Sequence, residues 1–223
     1  MARNSFYPRT NNDADSMSHS GHMIRDSPGP SARPDVLVPQ PAGVHSWKKF
    51  AQKTRVPVGT ILGIIFLLLM HPSIRSLWIG GAISLVGACL RIWAAGHIEK
   101  GRVLTQGGPY AITRNPLYLG SFIMALGIIL AGQGYWLLLP FAAFFAIFYY
   151  PVMKAEEQEL LNGYGERFVE YSVAVPLFFP RFRRAGREDS AFLWARVVRN
   201  REHRTVAGLL AAQVLLILLA VIQ

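Results

Sequence analysis

Charged residues and cysteines are scarce in this chain of 223 residues. Lys, Arg, Asp and Glu make up 16% of the sequence, whereas a soluble domain carries about 25%. Hydrophobic residues reach 52% and lie in long uncharged runs, which is typical of a membrane protein. Cys89 is the only cysteine, which excludes an internal disulfide, and its place in an apolar run is that of a small packing residue.

Several motifs of metal-binding and nucleotide-binding proteins are also missing. No Cys pair, His-x-x-x-His or cluster of Asp has the spacing of a metal site. There is no phosphate loop and no GxGxxG, and no aromatic-basic module of the kind that binds RNA or DNA. Despite a net charge of +10, we therefore expect neither a metal nor a nucleic-acid partner.

Two regions follow from the distribution of apolar residues. Residues 1–55 are rich in Ser, Pro, Asn, Asp and Arg without an apolar period, which predicts a disordered tail. Residues 56–223 form the predicted membrane domain, an all-α integral membrane protein of about five transmembrane helices. The first and third of its apolar runs are shorter than the roughly 20 residues that a span needs. The runs are Val56–Met70, Leu77–His97, Leu117–Leu130, Tyr135–Met153 and Val206–Ile222.

The positions of the basic residues predict the orientation in the membrane. Apart from Arg75 and Arg91, every Lys and Arg falls in residues 1–55, 98–116 or 154–204. Five spans place these segments on one side, which the positive-inside rule makes the cytosol. We therefore expect a cytosolic amino terminus, an external carboxyl terminus and a functional site on the cytosolic side, where the longer connectors lie.

The stretch GGPYAITRNPLYLG, Gly107–Gly120, has more special residues than a connector needs. Its Gly-Gly-Pro favours a turn. Asn115 is a good N-cap, and Pro116 suits the first position of a helix. The free N–H groups of that helix start, with Arg114 beside them, favour an anion. The alternative is a plain helix start with a positive-inside arginine.

Aromatic and acidic side chains complete the candidate site. Tyr110 and Tyr118 offer faces that could hold a cation or an adenine ring. Glu156 and Glu157 follow the fourth apolar run, where they could take an amino group, ribose hydroxyls or a basic neighbour. The alternatives are interfacial tyrosines and the solvated, charged end of a helix.

The two clusters together resemble the isoprenylcysteine carboxyl methyltransferase family and its phospholipid methyltransferase relatives. Order and spacing agree over about Leu77–Pro180, the motif core. The matching motifs are Arg102–Thr105, Gly108-Pro109-Tyr110, Arg114-Asn115-Pro116-x-Tyr118-x-Gly120, Glu156-Glu157 and the segment from Gly165 to Pro180. The resemblance implies an integral membrane enzyme that uses S-adenosylmethionine. The cofactor-binding residues that it implies are Arg102, Val103, Leu104, Tyr110, Asn115, Pro116, Tyr118, Glu156 and Glu157.

This chain departs from the family at two of those positions. The family usually has histidine where Asn115 stands, and often histidine where Arg102 stands. Asparagine cannot titrate near neutrality as histidine can, so we expect cofactor binding at this position but no proton transfer.

The expected acceptor is a lipophilic or prenylated molecule that enters from the bilayer. A carboxylate or thiolate acceptor needs no general base, and no catalytic residue is assigned. Arg91, a functional candidate because it lies within a span, and Arg114 are the predicted substrate-binding residues. An amine or hydroxyl acceptor would need a base, for which Glu157 and His97 are the candidates.

Two other functions compete with this interpretation. An NADPH-dependent lipid reductase would use the basic cluster Arg181–Arg184 for a 2′-phosphate. A non-enzymatic membrane scaffold or transporter subunit would bind no cofactor, although the internal repeat of many transporters is not visible here.

Overall fold

The structure, a computed structural model, describes residues 42–99, 103–181 and 191–222; within residues 42–56 it describes only one side chain, that of Thr54. This part of the chain contains helices and no strand, as the sequence predicts. The α-helices are α1 (Ala42–Leu69), α2 (Ile74–His97), α3 (Pro116–Ala131), α4 (Leu138–Tyr164), α5 (Glu166–Ala174), α6 (Trp194–Arg199) and α7 (Glu202–Ile222). Single 3₁₀ turns cover Gly108–Ala111 and Tyr135–Leu137.

Three helices are long and apolar enough to cross a membrane. They are α2, α7 and the segment Tyr135–Tyr164 that contains α4. Two shorter apolar helices, Pro57–Leu69 and Pro116–Ala131, correspond to the short first and third runs. The all-helical membrane-type fold is confirmed, and a count of five crossings stays a prediction.

Helix α1 begins within the predicted tail. Because α1 begins at Ala42, the prediction of disorder is wrong for residues 42–55, and residues 1–41 lie outside the described part. Adding a residue to an existing helix is much easier than starting one. The Ala, Lys and Gln residues before Pro57 are good helix formers, so they continue the apolar helix toward its amino end.

Helices α2 and α3 pack backbone against backbone because their facing residues are small. A Cβ atom at Gly80 would overlap the backbone of Ala131, and one at Gly127 would overlap Ser84. The Ser84 hydroxyl also donates a hydrogen bond to the carbonyl of Met124, at 3.1 Å. Small residues and hydroxyl bonds of this kind join helices in membranes. The end of α2 is thereby held beside the start of α3, where the candidate site lies.

Candidate active site

A cavity of about 1000 Å³ lies where the ends of several helices meet. Its wall contains every predicted cofactor-binding and substrate-binding residue that the structure describes, but not the candidate base His97; whether these residues bind a cofactor or substrate stays a prediction. Arg102 lies outside the described residues. The predicted residues in the wall are Arg91, Val103, Leu104, Tyr110, Arg114, Asn115, Pro116, Tyr118, Glu156 and Glu157.

The Gly-Pro-Tyr motif forms the 3₁₀ turn at one side of this cavity. Gly108 has a φ of +59°, and a Cβ atom there would lie 2.6 Å from the His97 ring, so only glycine fits without a shift. His97 is fixed in turn, with Nδ1 2.9 Å from the carbonyl oxygen of Trp93. The turn therefore brings Tyr110 to the cavity wall at a defined position.

Tyr110 carries a polar atom without a partner. Its side chain is buried, and its hydroxyl makes no hydrogen bond with any described residue. The Tyr171 hydroxyl donates instead to the main-chain carbonyl of Tyr110, at 2.7 Å. Burial, and then the nearby Tyr171 and Glu156, raise the pKa of Tyr110 well above its usual value. The phenol is thus a neutral donor that a ligand in the cavity could satisfy.

Asn115 holds the N-cap position of α3, but its side chain does not cap the helix. Its amide Nδ2 donates to the carbonyl of Leu177 at 3.0 Å, so the prediction of a side-chain cap is wrong. The chain after α5 runs beside this junction, where the Arg114 N–H donates to the Pro176 carbonyl at 2.9 Å. That chain supplies an acceptor that the sequence does not reveal. Pro116 is the first residue of α3, as predicted.

The two acidic residues of α4 have different partners. The Tyr118 hydroxyl donates to Glu156 Oε1 at 2.8 Å. Glu157 Oε1 lies 2.6 Å from Arg114 Nη1, and its Oε2 lies 2.8 Å from Lys154 Nζ. The Arg114 charge is therefore already paired, as the sequence allowed for a basic neighbour of Glu157. Its Nε, which is buried, keeps no partner among the described residues.

Arg91 is paired with a residue that sequence reasoning missed. Its Nε lies 2.9 Å from Glu202 Oε2, and its Nη2 lies 2.7 Å from Glu202 Oε1. Nη1 donates to the Leu117 carbonyl at 3.2 Å and to the Ser121 hydroxyl. Glu202 is buried and lines the cavity at the start of α7. A charged residue inside a membrane almost always has a partner. This rule is the one sequence-level signal that Arg91 needs a carboxylate, but it does not identify Glu202.

The segment before α7 completes the wall by attaching to the end of α2. Arg196 Nη2 lies 2.8 Å from Glu99 Oε2, and Nη1 donates to the His97 carbonyl at 3.3 Å. Asn200 Nδ2 donates to the carbonyl of Ala95 at 3.0 Å. Glu99 and Asn200 line the cavity, although neither belongs to a motif that the sequence displays.

Comparison with known proteins gives one family. The family model described as phospholipid methyltransferase matches residues 58–167, from the apolar part of α1 to the start of α5. The segment that contains Asn200 and Glu202 lies beyond that match. No solved structure matches this chain.

Two relatives are named for resistance to metals. The chain is 30% identical over 172 residues to the nickel-cobalt-cadmium resistance protein NccN of Alcaligenes xylosoxydans xylosoxydans, which covers 73% of this chain and 79% of that protein. It is 32% identical over 105 residues to the cobalt-zinc-cadmium resistance protein CzcN of Cupriavidus metallidurans. That match covers 46% of this chain and 47% of the relative, about half its length. Within residues 42–99, 103–181 and 191–222, no three His, Cys, Asp or Glu residues form a group that could hold a metal ion.

Proposed function

The chain belongs to the phospholipid methyltransferase family, as its motifs predicted, and from that premise we propose that it is an S-adenosylmethionine-dependent methyltransferase of the membrane. Its acceptor is a lipophilic molecule with a carboxylate or thiolate, such as an isoprenylcysteine-like group. The observation that supports this most is the cavity that Tyr110, Asn115 and Glu156 line together. These residues come from two motifs that are about 40 positions apart in the sequence.

The wall of the cavity offers groups that suit the parts of the cofactor. S-adenosylmethionine has a carboxylate, an ammonium, a sulfonium and an adenosine, and a cavity of about 1000 Å³ is at the upper end of the usual range for small-molecule sites. The unpartnered donors, Arg114 Nε and the Tyr110 hydroxyl, suit the carboxylate and the adenosine. Glu156 suits the ammonium or the ribose. The faces of Tyr110 and Tyr118 suit the sulfonium or the adenine.

In this proposal the chain contributes positioning rather than proton transfer. When bound, S-adenosylmethionine supplies a methyl group that is activated for in-line displacement. The Tyr118 hydroxyl fixes Glu156, and the ion pair with Arg114 fixes Glu157, so the binding groups need little rearrangement. Holding two reactants in line can supply about 7–11 kcal/mol of the barrier.

The surroundings of the two candidate bases, Glu157 and His97, favour an acceptor that can react without a general base. Glu157 has a cation at each oxygen. The His97 ring lies against Gly108 and Phe192. A carboxylate or thiolate that leaves water for this cavity is already a nucleophile and becomes less solvated. Arg91 and Arg114 stay the residues that we expect to orient it.

We also propose five crossings with the cavity on the cytosolic side. The cavity is lined by the start of the apolar part of α1, the end of α2, the starts of α3 and α7, and the end of α4. This alternation of starts and ends is what five consecutive crossings would produce. In a Cys89→Ser background, a membrane-impermeant maleimide should label Arg75→Cys in intact cells and Gly163→Cys only after lysis. The opposite pattern would reverse the orientation.

Binding of labelled S-adenosylmethionine to the full chain in detergent tests the proposed cofactor. Glu156→Gln should weaken binding by about 1.5–3 kcal/mol, the worth of a charged hydrogen bond, or roughly 10- to 150-fold in Kd. Tyr110→Phe removes only the unpartnered hydroxyl, so it should weaken binding without lowering stability. The matched controls are Glu170→Gln and Tyr135→Phe, both at exposed positions.

The same assay separates the competing functions. Binding of NADPH in place of S-adenosylmethionine would favour the reductase, although Arg181 alone of the cluster Arg181–Arg184 lies among the described residues. Failure of the unaltered protein to bind either cofactor would favour the scaffold or transporter subunit. If Glu156→Gln, Tyr110→Phe and the controls all bound S-adenosylmethionine with equal affinity, the proposal that the cofactor binds in this cavity would be wrong.

The names of the relatives suggest a cellular role that can be tested in the same terms. We propose that any contribution of this chain to metal resistance depends on methyl transfer, since the described residues offer no group of three potential metal ligands. Cells that depend on the chain for growth with nickel or cobalt should then fail with Glu156→Gln. Full resistance with that variant would argue for another route.

A further inference from the structure

Three exposed arginines lie at the turn from α6 to α7. Arg199, Arg201 and Arg204 are exposed, and none of their side chains makes an ion pair or hydrogen bond with a described residue. We call them the arginine patch. Like charges on one short segment repel each other, and an anion among them would relieve that repulsion.

Among the described residues of its own segment, the patch has no free acidic neighbour. Glu202 is the one acidic residue in the described segment 191–222, and it is buried and bound to Arg91. The remaining arginine of α6, Arg196, is bound to Glu99. Because Glu202 and Glu99 are paired with Arg91 and Arg196, the three arginines of the patch have no acidic partner among the described residues.

The fold holds the patch in place. Arg201 has a φ of +58°, a conformation that is uncommon outside glycine, and its N–H donates to the Val198 carbonyl at 2.9 Å. Val197 is buried, and Asn200 is bound to α2. One side of α6 is therefore fixed to the protein, and the arginines remain on the accessible side.

Large apolar side chains are exposed beside the patch. Trp194 is 68% exposed and Val198 is 65% exposed, and α7 begins next to them with an apolar stretch that is long enough to cross a membrane. Exposed tryptophan and aliphatic residues beside arginines are typical of a segment at the boundary between lipid and water. A free phosphate ion could contact the arginines but would gain nothing from the exposed apolar side chains.

We propose that the turn from α6 to α7 binds the headgroup of an anionic phospholipid. The arginine patch contacts the phosphate, since guanidinium groups match phosphate oxygens in pairs, and Trp194 and Val198 lie against the acyl chains. Asn200 and Glu202 of this turn line the cavity, but the three arginines do not, so the proposed lipid contact does not depend on the proposed methyl transfer.

Lipid binding to the full chain in detergent tests this proposal, with native mass spectrometry as the readout. Phosphatidylglycerol should bind more tightly than phosphatidylcholine. A basic residue near an anionic lipid surface contributes about fivefold in affinity, so the triple variant Arg199→Gln, Arg201→Gln, Arg204→Gln should lose about 100-fold. Arg75→Gln is the matched control. Arg75 is exposed at the start of α2, whereas the turn from α6 to α7 is bound to the end of that helix.

Should the triple variant fail to fold, Arg199→Gln and Arg204→Gln alone should each lose about fivefold. Trp194→Ala should weaken binding of phosphatidylglycerol, and inorganic phosphate should not compete with the lipid. Competition by phosphate at equal strength would mean an ion site only. Equal affinity for the two lipids, or an unchanged affinity in the triple variant, would overturn the proposal.

Discussion

Replacement of Glu202 by glutamine leaves the Arg91 guanidinium inside the helix bundle without its counter-ion. Glu202 is 4% exposed, and its two oxygens lie 2.9 and 2.7 Å from Arg91 nitrogens. Removing one partner of a buried pair costs about 3–5 kcal/mol. Because Arg91 keeps its contacts with Leu117 and Ser121, we expect the lower end, about 3 kcal/mol.

Equilibrium unfolding in mixed micelles would measure this loss, in a double-mutant cycle with Arg91→Gln. Each single variant leaves one buried charge behind, whereas the double variant leaves none, so the two losses should not add. We expect a coupling of about 2 kcal/mol, within the range for residues in contact. Glu170→Gln, an exposed carboxylate on α5, should stay within about 0.5 kcal/mol. Strictly additive losses, or a Glu202→Gln variant as stable as the control, would refute a pair of this kind.

Two further predictions concern the turn beside the cavity. Gly108→Ala should lower stability by about 1–3 kcal/mol, because alanine rarely adopts the positive φ of this position and its Cβ would lie 2.6 Å from the His97 ring. Gly163→Ala, with nothing within 4 Å of the added Cβ, should be neutral or slightly stabilising in the same unfolding assay. Burial raises the pKa of both Tyr110 and Tyr171 above the usual 10. Just above pH 10, each phenol therefore stays neutral in the folded protein but ionises when the protein unfolds. Stability should therefore be retained below pH 10 and fall as the pH rises above it. Tyr110→Phe should show a shallower fall; an equal fall would contradict the buried phenol.

The helices could be predicted because lipid demands apolar side chains over a fixed length. The predicted apolar run Leu77–His97 corresponds to the observed helix Ile74–His97, and the run Leu117–Leu130 corresponds to the helix Pro116–Ala131. The polar amino end of α1 was missed for the same reason, since no apolar period identifies a helix that extends beyond the membrane. Propensity alone is a weak signal against a Ser- and Pro-rich neighbourhood.

The motif residues could be predicted to meet because each cluster lies at a helix end that the topology brings to one side. Their partners could not. Arg91 and Glu202 are 111 positions apart, and Asn115 and Leu177 are 62 apart. Which carboxylate or carbonyl contacts a motif residue depends on how the segments after α4 pack against the other helices. No short-range pattern in the sequence predicts that packing.

The pairing of the basic residues bears on what the cavity selects. A lone arginine in an apolar wall would be costly, and both Arg91 and Arg114 have their own carboxylates in Glu202 and Glu157. The anionic acceptor proposed above would therefore meet donors that it must share, and its charge would add little to its affinity. Its hydrocarbon chain, at about 0.8 kcal/mol for each buried methylene, would contribute more. Such a site would recognise lipid character first and use the ion pairs to orient the reacting group.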